Sequence, residues 1–230
     1  MLKKVTILFA VIFSLFSGTM LANRVFILNK KSTPQTEYAV RKLKEALIER
    51  KYKIINSKKN PDFTVNLKIL SNQHSREAFT IIPDGSTITI RGSDQRGLIY
   101  GTLALVEYLR NGVSLEHIKR EDSKPNLEFR GIKFNLPWHT YRPSSALDQH
   151  YETVRDLKFW ESFLDMMAAN RFNAISLWNL DPYTFMIKTK NFPEACPWSE
   201  QELAGWQYLY REIFRMAKER GLDTYIIHWN

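Results

Sequence analysis

The last hundred residues constrain this chain most, because three short apolar runs alternate there with two helical stretches. Residues 131–136 read as a strand, and 152–169 read as a helix with Leu157, Trp160, Leu164 and Met167 on one stripe. Residues 174–178 read as a second strand. Ser199 and Glu202 then form a capping box. It opens a helix striped by Leu203, Trp206, Tyr210, Ile213 and Ala217, closed by Gly221, before a third strand over 224–229. Apolar strands in the order β-α-β-α-β predict a parallel sheet with right-handed crossovers.

Ligands of parallel α/β sheets bind at the carboxyl ends of the strands. The three exits read Asn135-Leu136-Pro137-Trp138, Leu177-Trp178-Asn179 and His228-Trp229-Asn230. Each pairs a Trp with an Asn. An indole offers a flat apolar face to the C–H face of a sugar ring, and an amide offers a donor and an acceptor to hydroxyls. Trp138, Trp178, Asn179, Trp229 and Asn230 are therefore candidate substrate-binding residues for a polyhydroxylated ligand. Trp160 and Trp206 lie on helix stripes and read as core.

The first half has a different rhythm. A strand over 24–28 precedes Ser32-Thr33-Pro34, which offers an N-cap and an early-turn proline to a helix over 34–51 carrying Val40, Leu43 and Leu47. Phe63, Val65, Leu67 and Ile69 alternate as a half-buried strand. Residues 79–82 and 87–90 flank Pro83-Asp84-Gly85 as a hairpin. Asp94 can cap a second helix over 95–110, whose Gly97 and Gly101 suggest close approach to a neighbouring sheet. The expectation is an α+β domain over 23–122, with a mainly antiparallel sheet and helices on one face, followed by a parallel α/β region over 123–230.

Residues 1–22 read as an export signal. Lys3-Lys4 precede an apolar run over 5–16, and Ala22 is the expected cleavage point. No Cys follows the run, so the expected location is periplasmic or secreted, with no membrane span after cleavage. A single cysteine, Cys196, excludes an intramolecular disulfide framework and a multi-cysteine metal site. The net charge of +9 belongs to the front: residues 24–129 hold 19 Lys+Arg against 12 Asp+Glu, whereas 130–230 hold 12 of each. The basic residues follow no nucleic-acid-binding pattern, so a solvated basic surface is expected and nucleic acid is not an expected partner.

The run Gly92-Ser93-Asp94-Gln95-Arg96-Gly97-Leu98-Ile99-Tyr100-Gly101 and the helix through Leu109 resemble the small α+β domain that precedes the barrel in family 20 β-hexosaminidases and family 67 α-glucuronidases. Phe129-Arg130-Gly131 resembles the approach to the first barrel strand, Phe172-Asn173 through Trp178-Asn179 the second, and Ala217-Lys218-Glu219-Arg220-Gly221 the lead to the third. The resemblance implies an exported bacterial glycoside hydrolase, acting on oligosaccharide or polysaccharide, with an incomplete (β/α)₈ TIM barrel of about three strands. It also implies sugar binding by Arg130. Phe134-Asn135 departs from the acidic residue often found on that strand in family 20, which counts against a hexosaminidase, and the longer Trp-and-Asn pattern inclines the resemblance toward α-glucuronidases.

A (β/α)₈ barrel needs roughly 250 residues, and 101 remain from Arg130 onward. The chain thus reads as the front part of a longer enzyme. Glycosidases generally use two carboxylates flanking the scissile bond. Asp181 and Glu194 lie in turns, and Asp156, Glu161 and Asp165 lie on a helix, so no catalytic residue is assigned. His139 and His228 have no third ligand at matching spacing, and neither metal nor cofactor is expected. A non-enzymatic carbohydrate-binding module, a hexosaminidase-like hydrolase and a complete small α/β protein of other function are the alternatives. Oligomeric state is not legible.

Overall fold

The computed structural model describes residues 23–70, 75–137, 144–179 and 182–228. Calls on the first 22 residues, and on Trp138, His139, Asp181, Trp229 and Asn230, fall outside the described residues.

A six-stranded sheet is built from β1 (Arg24–Asn29), β2 (Lys53–Ile55), β3 (Phe63–Ile69), β4 (Phe79–Asp84), β5 (Thr87–Gly92) and β6 (Glu121–Ser123), in the order β2-β1-β3-β5-β4-β6. The expectation of a mainly antiparallel sheet is corrected here. β1 runs parallel to β2 and β3, and β3 parallel to β5; only β4 is antiparallel to its neighbours β5 and β6. Periodicity shows which residues alternate, but not which strand of a hairpin docks on its predecessor. Here β5, not β4, takes the place beside β3 and reverses the orientation. The three-residue strands β2 and β6 are too short to alternate visibly.

Two helices cover one face of this sheet. In α1 (Pro34–Glu49), Thr33 and Thr36 form the capping box, and in α2 (Gln95–Arg110) the Asp94 side chain accepts from the Gly97 amide. The hairpin turns through Gly85-Ser86, with Gly85 at φ +54° supplying the positive dihedral. Close approach at Gly97 is borne out: a Cβ there would lie 2.2 Å from the Ala78 carbonyl oxygen. Val25, Val65, Ile88 and Ile90 from the strands meet Leu43, Leu47, Leu98 and Leu105 from the helices in one core.

The second sheet is three parallel strands, β7 (Gly131–Asn135), β8 (Ala174–Trp178) and β9 (Asp223–Ile227), in the order β7-β8-β9. The expected helix over 152–169 is two helices, α3 (Ser145–Arg155) and α4 (Leu157–Ala169). Asp156 separates them at φ −80°, ψ 108°, its carboxylate accepting from the Lys158 amide as the cap of α4. Val154 before the break and Leu157 after it stand three apart, at helical spacing, so the break is silent in the pattern. α5 (Glu200–Glu219) opens with the expected capping box between Ser199 and Glu202, and Trp206, Tyr210, Ile213 and Ala217 are buried along it. Trp160, Ile175, Leu177 and Ile213 centre a second core. Among the described residues, no helix is long and apolar enough to cross a membrane.

The two halves are joined by polar groups, and many gather at the amino ends of β7, β8 and β9. The Glu77 carboxylate, 7% exposed, receives Arg96 at 3.1 Å, Asn173 Nδ2 at 3.0 Å and the Arg130 guanidinium. Arg96 also donates to the Gly221 carbonyl and to Asp223, and Tyr100 donates to the Phe172 carbonyl at 3.1 Å. Asn173 accepts from the Arg130 amide at 2.8 Å. A second junction centres on Asp165 of α4, which takes Lys42 at 2.7 Å, Arg220 at 2.6 Å and the Tyr38 hydroxyl at 3.1 Å. Arg220, 1% exposed, also stacks 4.8 Å from the centre of the Tyr38 ring.

Candidate carbohydrate site

Alternation divides the second sheet into two faces. Ile132 and Phe134, Ile175 and Leu177, and Ile226 point toward the helices; Phe134 lies 4.9 Å from Trp160 between ring centres. The other face carries three rows of neighbours: Gly131, Ala174 and Asp223 at the amino end, then Lys133, Ser176 and Tyr225, then Asn135, Trp178 and Ile227 at the carboxyl end. Lys133, Asn135, Tyr225 and Ile227 on this face are exposed.

Trp178 stands on the open face at the carboxyl edge, and the Lys133 ammonium lies 4.4 Å from the centre of its ring. A cation over an indole fixes both groups, at roughly 0.5–2 kcal/mol. Asn179 follows directly. It is 1% exposed, and neither its amide oxygen nor its amide nitrogen has a hydrogen-bond partner. The buried Ser176 hydroxyl oxygen has none either. Leaving such groups unpaired costs about 1–3 kcal/mol each, which is relieved by anything that brings donors and acceptors to them.

The loop after β8 walls this edge with aromatics. A 3₁₀ turn over Pro182–Phe185 places Phe185 against Trp206 at 4.8 Å and Trp198 at 5.1 Å, and Tyr183 lies 5.0 Å from His228. Gln207 of α5 donates to the Met186 carbonyl at 2.8 Å, and the Cys196 thiol contacts the Thr184 carbonyl at 3.6 Å. Across the edge, His150 of α3 sits beside Phe134. Its burial lowers its pKa, opposed in part by a hydrogen bond with the Asn135 backbone.

The sequence candidates separate in space. Trp178 and Asn179 lie together at the carboxyl edge. Arg130 does not join them: it precedes β7 at the opposite end, where its guanidinium is held by Glu77 and by the Arg171 and Leu127 carbonyls. The resemblance could not show this, because Glu77 lies outside every motif that carries it. Lys133 and Ser176 were missed, although their alternation with Ile132, Phe134, Ile175 and Leu177 marks them as facing away from the core.

The acidic residues considered from the sequence have other roles. Asp156 caps α4, Asp165 ties the halves, Glu161 lies 3.9 Å from Arg220, and Glu194 is exposed on a 3₁₀ turn. On the open face, among the described residues, the acid is Asp223, at the amino end and bound to Arg96. Among the described residues, no three His, Cys, Asp or Glu side chains converge as a metal site.

Residues 17–122 match the family model for glycosyl hydrolase family 20, domain 2. No curated protein matches the chain. Among solved structures, a family 138 glycoside hydrolase described as targeting pectin rhamnogalacturonan II is similar, with a TM-score of 0.80 and 24% identity over 90% of this chain and 31% of its own. A β-N-acetylhexosaminidase from Bacteroides fragilis has a TM-score of 0.55 and 16% identity over 90% of this chain and 40% of its own. A chitobiase from Flavobacterium johnsoniae has a TM-score of 0.55 and 17% identity over 89% of this chain and 31% of its own. The chain thus shares its fold with glycoside hydrolases and spans well under half the length of each.

Proposed function

We propose that the chain is the amino-terminal part of an exported glycoside hydrolase, with β7, β8 and β9 as the first three strands of a (β/α)₈ barrel and their carboxyl edge as part of the carbohydrate site. Within that reading the substrate carries an acidic sugar, as for an α-glucuronidase-like enzyme acting on a plant polysaccharide. The observation that carries the acidic sugar is the pairing of Lys133 with Trp178. The carboxylate of a uronic acid draws the ammonium off the indole face, which then supports the C–H face of the ring. Asn179 and the Ser176 hydroxyl lie buried behind this pair, and their unpaired polar atoms serve hydroxyls only where the edge opens to admit them. The family 20 domain match favours one second reading, a hexosaminidase-like enzyme in which the same edge holds an N-acetylated sugar.

These residues bind and orient; an indole, an amide and an ammonium do not replace the acid and nucleophile of glycoside hydrolysis. The expected outcome with purified chain is binding of a glucuronate-bearing xylo-oligosaccharide, weakened at least tenfold by Trp178→Ala and by Lys133→Gln, with no turnover of aryl α-glucuronide or aryl N-acetyl-β-glucosaminide. Stronger binding of an N-acetylglucosamine oligomer would favour the second reading. Turnover abolished by Glu194→Gln would overturn the assignment of a purely binding role. Export predicts a mature chain beginning near Asn23, and amino-terminal sequencing of periplasmic or secreted material reads this directly.

A further inference from the structure

The six-stranded sheet contains a crevice of its own, away from β7–β9. β1 leaves through α1 to β2 on one side. β3, hydrogen-bonded in parallel on the other side of β1, leaves toward the β4–β5 hairpin. The two connections depart in opposite directions from adjacent parallel strands. This is a topological switch point, where open α/β sheets bind ligands outside the carboxyl ends of the strands. A cavity of about 290 Å³ occupies that position. It straddles the strand ends, with Leu67, Ile69 and Leu98 on the helix-covered side of the sheet, Leu28 on the other, and Leu70 beside them.

Its polar features share one sign. Lys30 and Lys31 follow β1 and Lys68 lies on β3, all three lining the cavity and exposed, and none forms an ion pair among the described residues. Arg91 is the register neighbour of Lys68 on β5, so a further cation stands beside the rim. Among the described residues, no acidic side chain lines the cavity. Thr36 and Leu98 bring the first turns of α1 and α2 to the wall, and helix amino ends add positive potential. Their amides are already served by the caps, so the helices contribute field rather than bonds. On the wall itself the buried Asn66 side-chain oxygen has no hydrogen-bond partner.

We propose that this crevice binds a small organic anion with an apolar body, its charged end on the Lys30, Lys31 and Lys68 rim and its carbon skeleton across the strand ends between Leu28 and Ile69. At ~30 Å³ for each water-sized group, the cavity holds roughly ten non-hydrogen atoms. A free sugar is a poor occupant, because leucine and isoleucine walls leave its hydroxyls unpaired. The site is distinct from the carbohydrate edge and does not depend on the function proposed for it.

The probe is cyclohexanecarboxylate, titrated into the full chain and followed by amide chemical-shift changes. Cyclohexanecarboxamide, inorganic phosphate and glucuronate serve as comparison ligands. The expected result is saturable shifts confined to residues 28–31, 66–70 and the starts of α1 and α2, with the carboxylate at least tenfold tighter than each comparison ligand. Lys30→Gln combined with Lys68→Gln should weaken it at least tenfold, and Asn66→Asp should abolish it, while far-UV circular dichroism and the melting temperature hold. Equal binding of the carboxamide would overturn the anion, and equal binding of phosphate would overturn the apolar body. Preferential binding of glucuronate would overturn the ligand class, and absence of saturable shifts would overturn the site.

Discussion

Glu77 combines two unfavourable features that its surroundings offset. Its backbone sits at φ +61°, in the left-handed region, which costs a residue with a Cβ on the order of 1 kcal/mol. Its carboxylate is almost wholly buried. Asp94 accepts from its amide at 2.9 Å, and Arg130, Asn173 and Arg96 bond its carboxylate. Burial is the largest influence on the carboxyl and raises its pKa, but those three donors together outweigh it, and the net shift is downward. Asp165 follows the same pattern, with burial opposed by Lys42 and Arg220 and a net lowering. A carboxylate with a depressed pKa stabilises the fold fully above the ordinary carboxylate range and loses that contribution as pH falls below about 4. Glu77→Gln is expected to cost about 3 kcal/mol at pH 7, because it leaves two arginines facing a neutral amide. Wild-type urea midpoints should hold between pH 7 and 5 on this account and fall by pH 3.5, with a smaller fall for the variant. Nothing in Ser75-Arg76-Glu77-Ala78 marks this residue, because its partners are recruited from 17 to 96 positions away.

At the scale of elements, two helical glycines separate what a pattern shows from what packing decides. Gly97 begins α2 against the Ala78 carbonyl, whereas Gly205 lies inside α5 with nothing within 4 Å of where its Cβ would stand. Gly97→Ala should destabilise by about 2 kcal/mol, since backbone has to move. Gly205→Ala should stabilise by about 1 kcal/mol, since only helix propensity changes. Denaturant unfolding of both variants, compared at equal slope, reads the opposite signs. Helices and strands were legible where caps and apolar periods coincide, as at Asp94, Ser199–Glu202 and Phe63–Ile69. The break at Asp156 was not, because buried Val154 before it and Leu157 after it keep helical spacing. Strand pairing was not legible in the first sheet, where neighbours are set by crossovers. It was legible in the second, where each strand must reach the next through a helix. The sequence placed Trp178 and Asn179 at a strand exit, where the structure has them; alternation marks Lys133 as facing away from the core, but its pairing with Trp178 needed the third dimension.

The whole molecule has two apolar cores of unequal independence. The first draws its buried side chains from residues 25–118, with Ala168 alone added from the second half. The second rests on a three-stranded sheet whose other face stays open, with Tyr225 46% and Ile227 40% exposed. Residues 23–123 alone should therefore unfold cooperatively, at a lower melting temperature than the full chain because Tyr38 and Tyr100 lose their cover. Residues 124–230 alone should show no cooperative transition and should self-associate. Calorimetry and light scattering on the two halves check this. A cooperatively melting, monomeric second half would contradict it.

The amino ends of β7, β8 and β9 are held to the first domain by Arg96, Arg130 and Asn173, whereas Trp178 and Asn179 stand at the other end. On the proposed function, cohesion and recognition draw on different residues of the same three strands. Descendants of such a chain can exchange the loops around Trp178 through successive rounds of mutation and selection without touching what holds the halves together. On that reading, new sugar preferences become reachable by small steps, each from a folded ancestor.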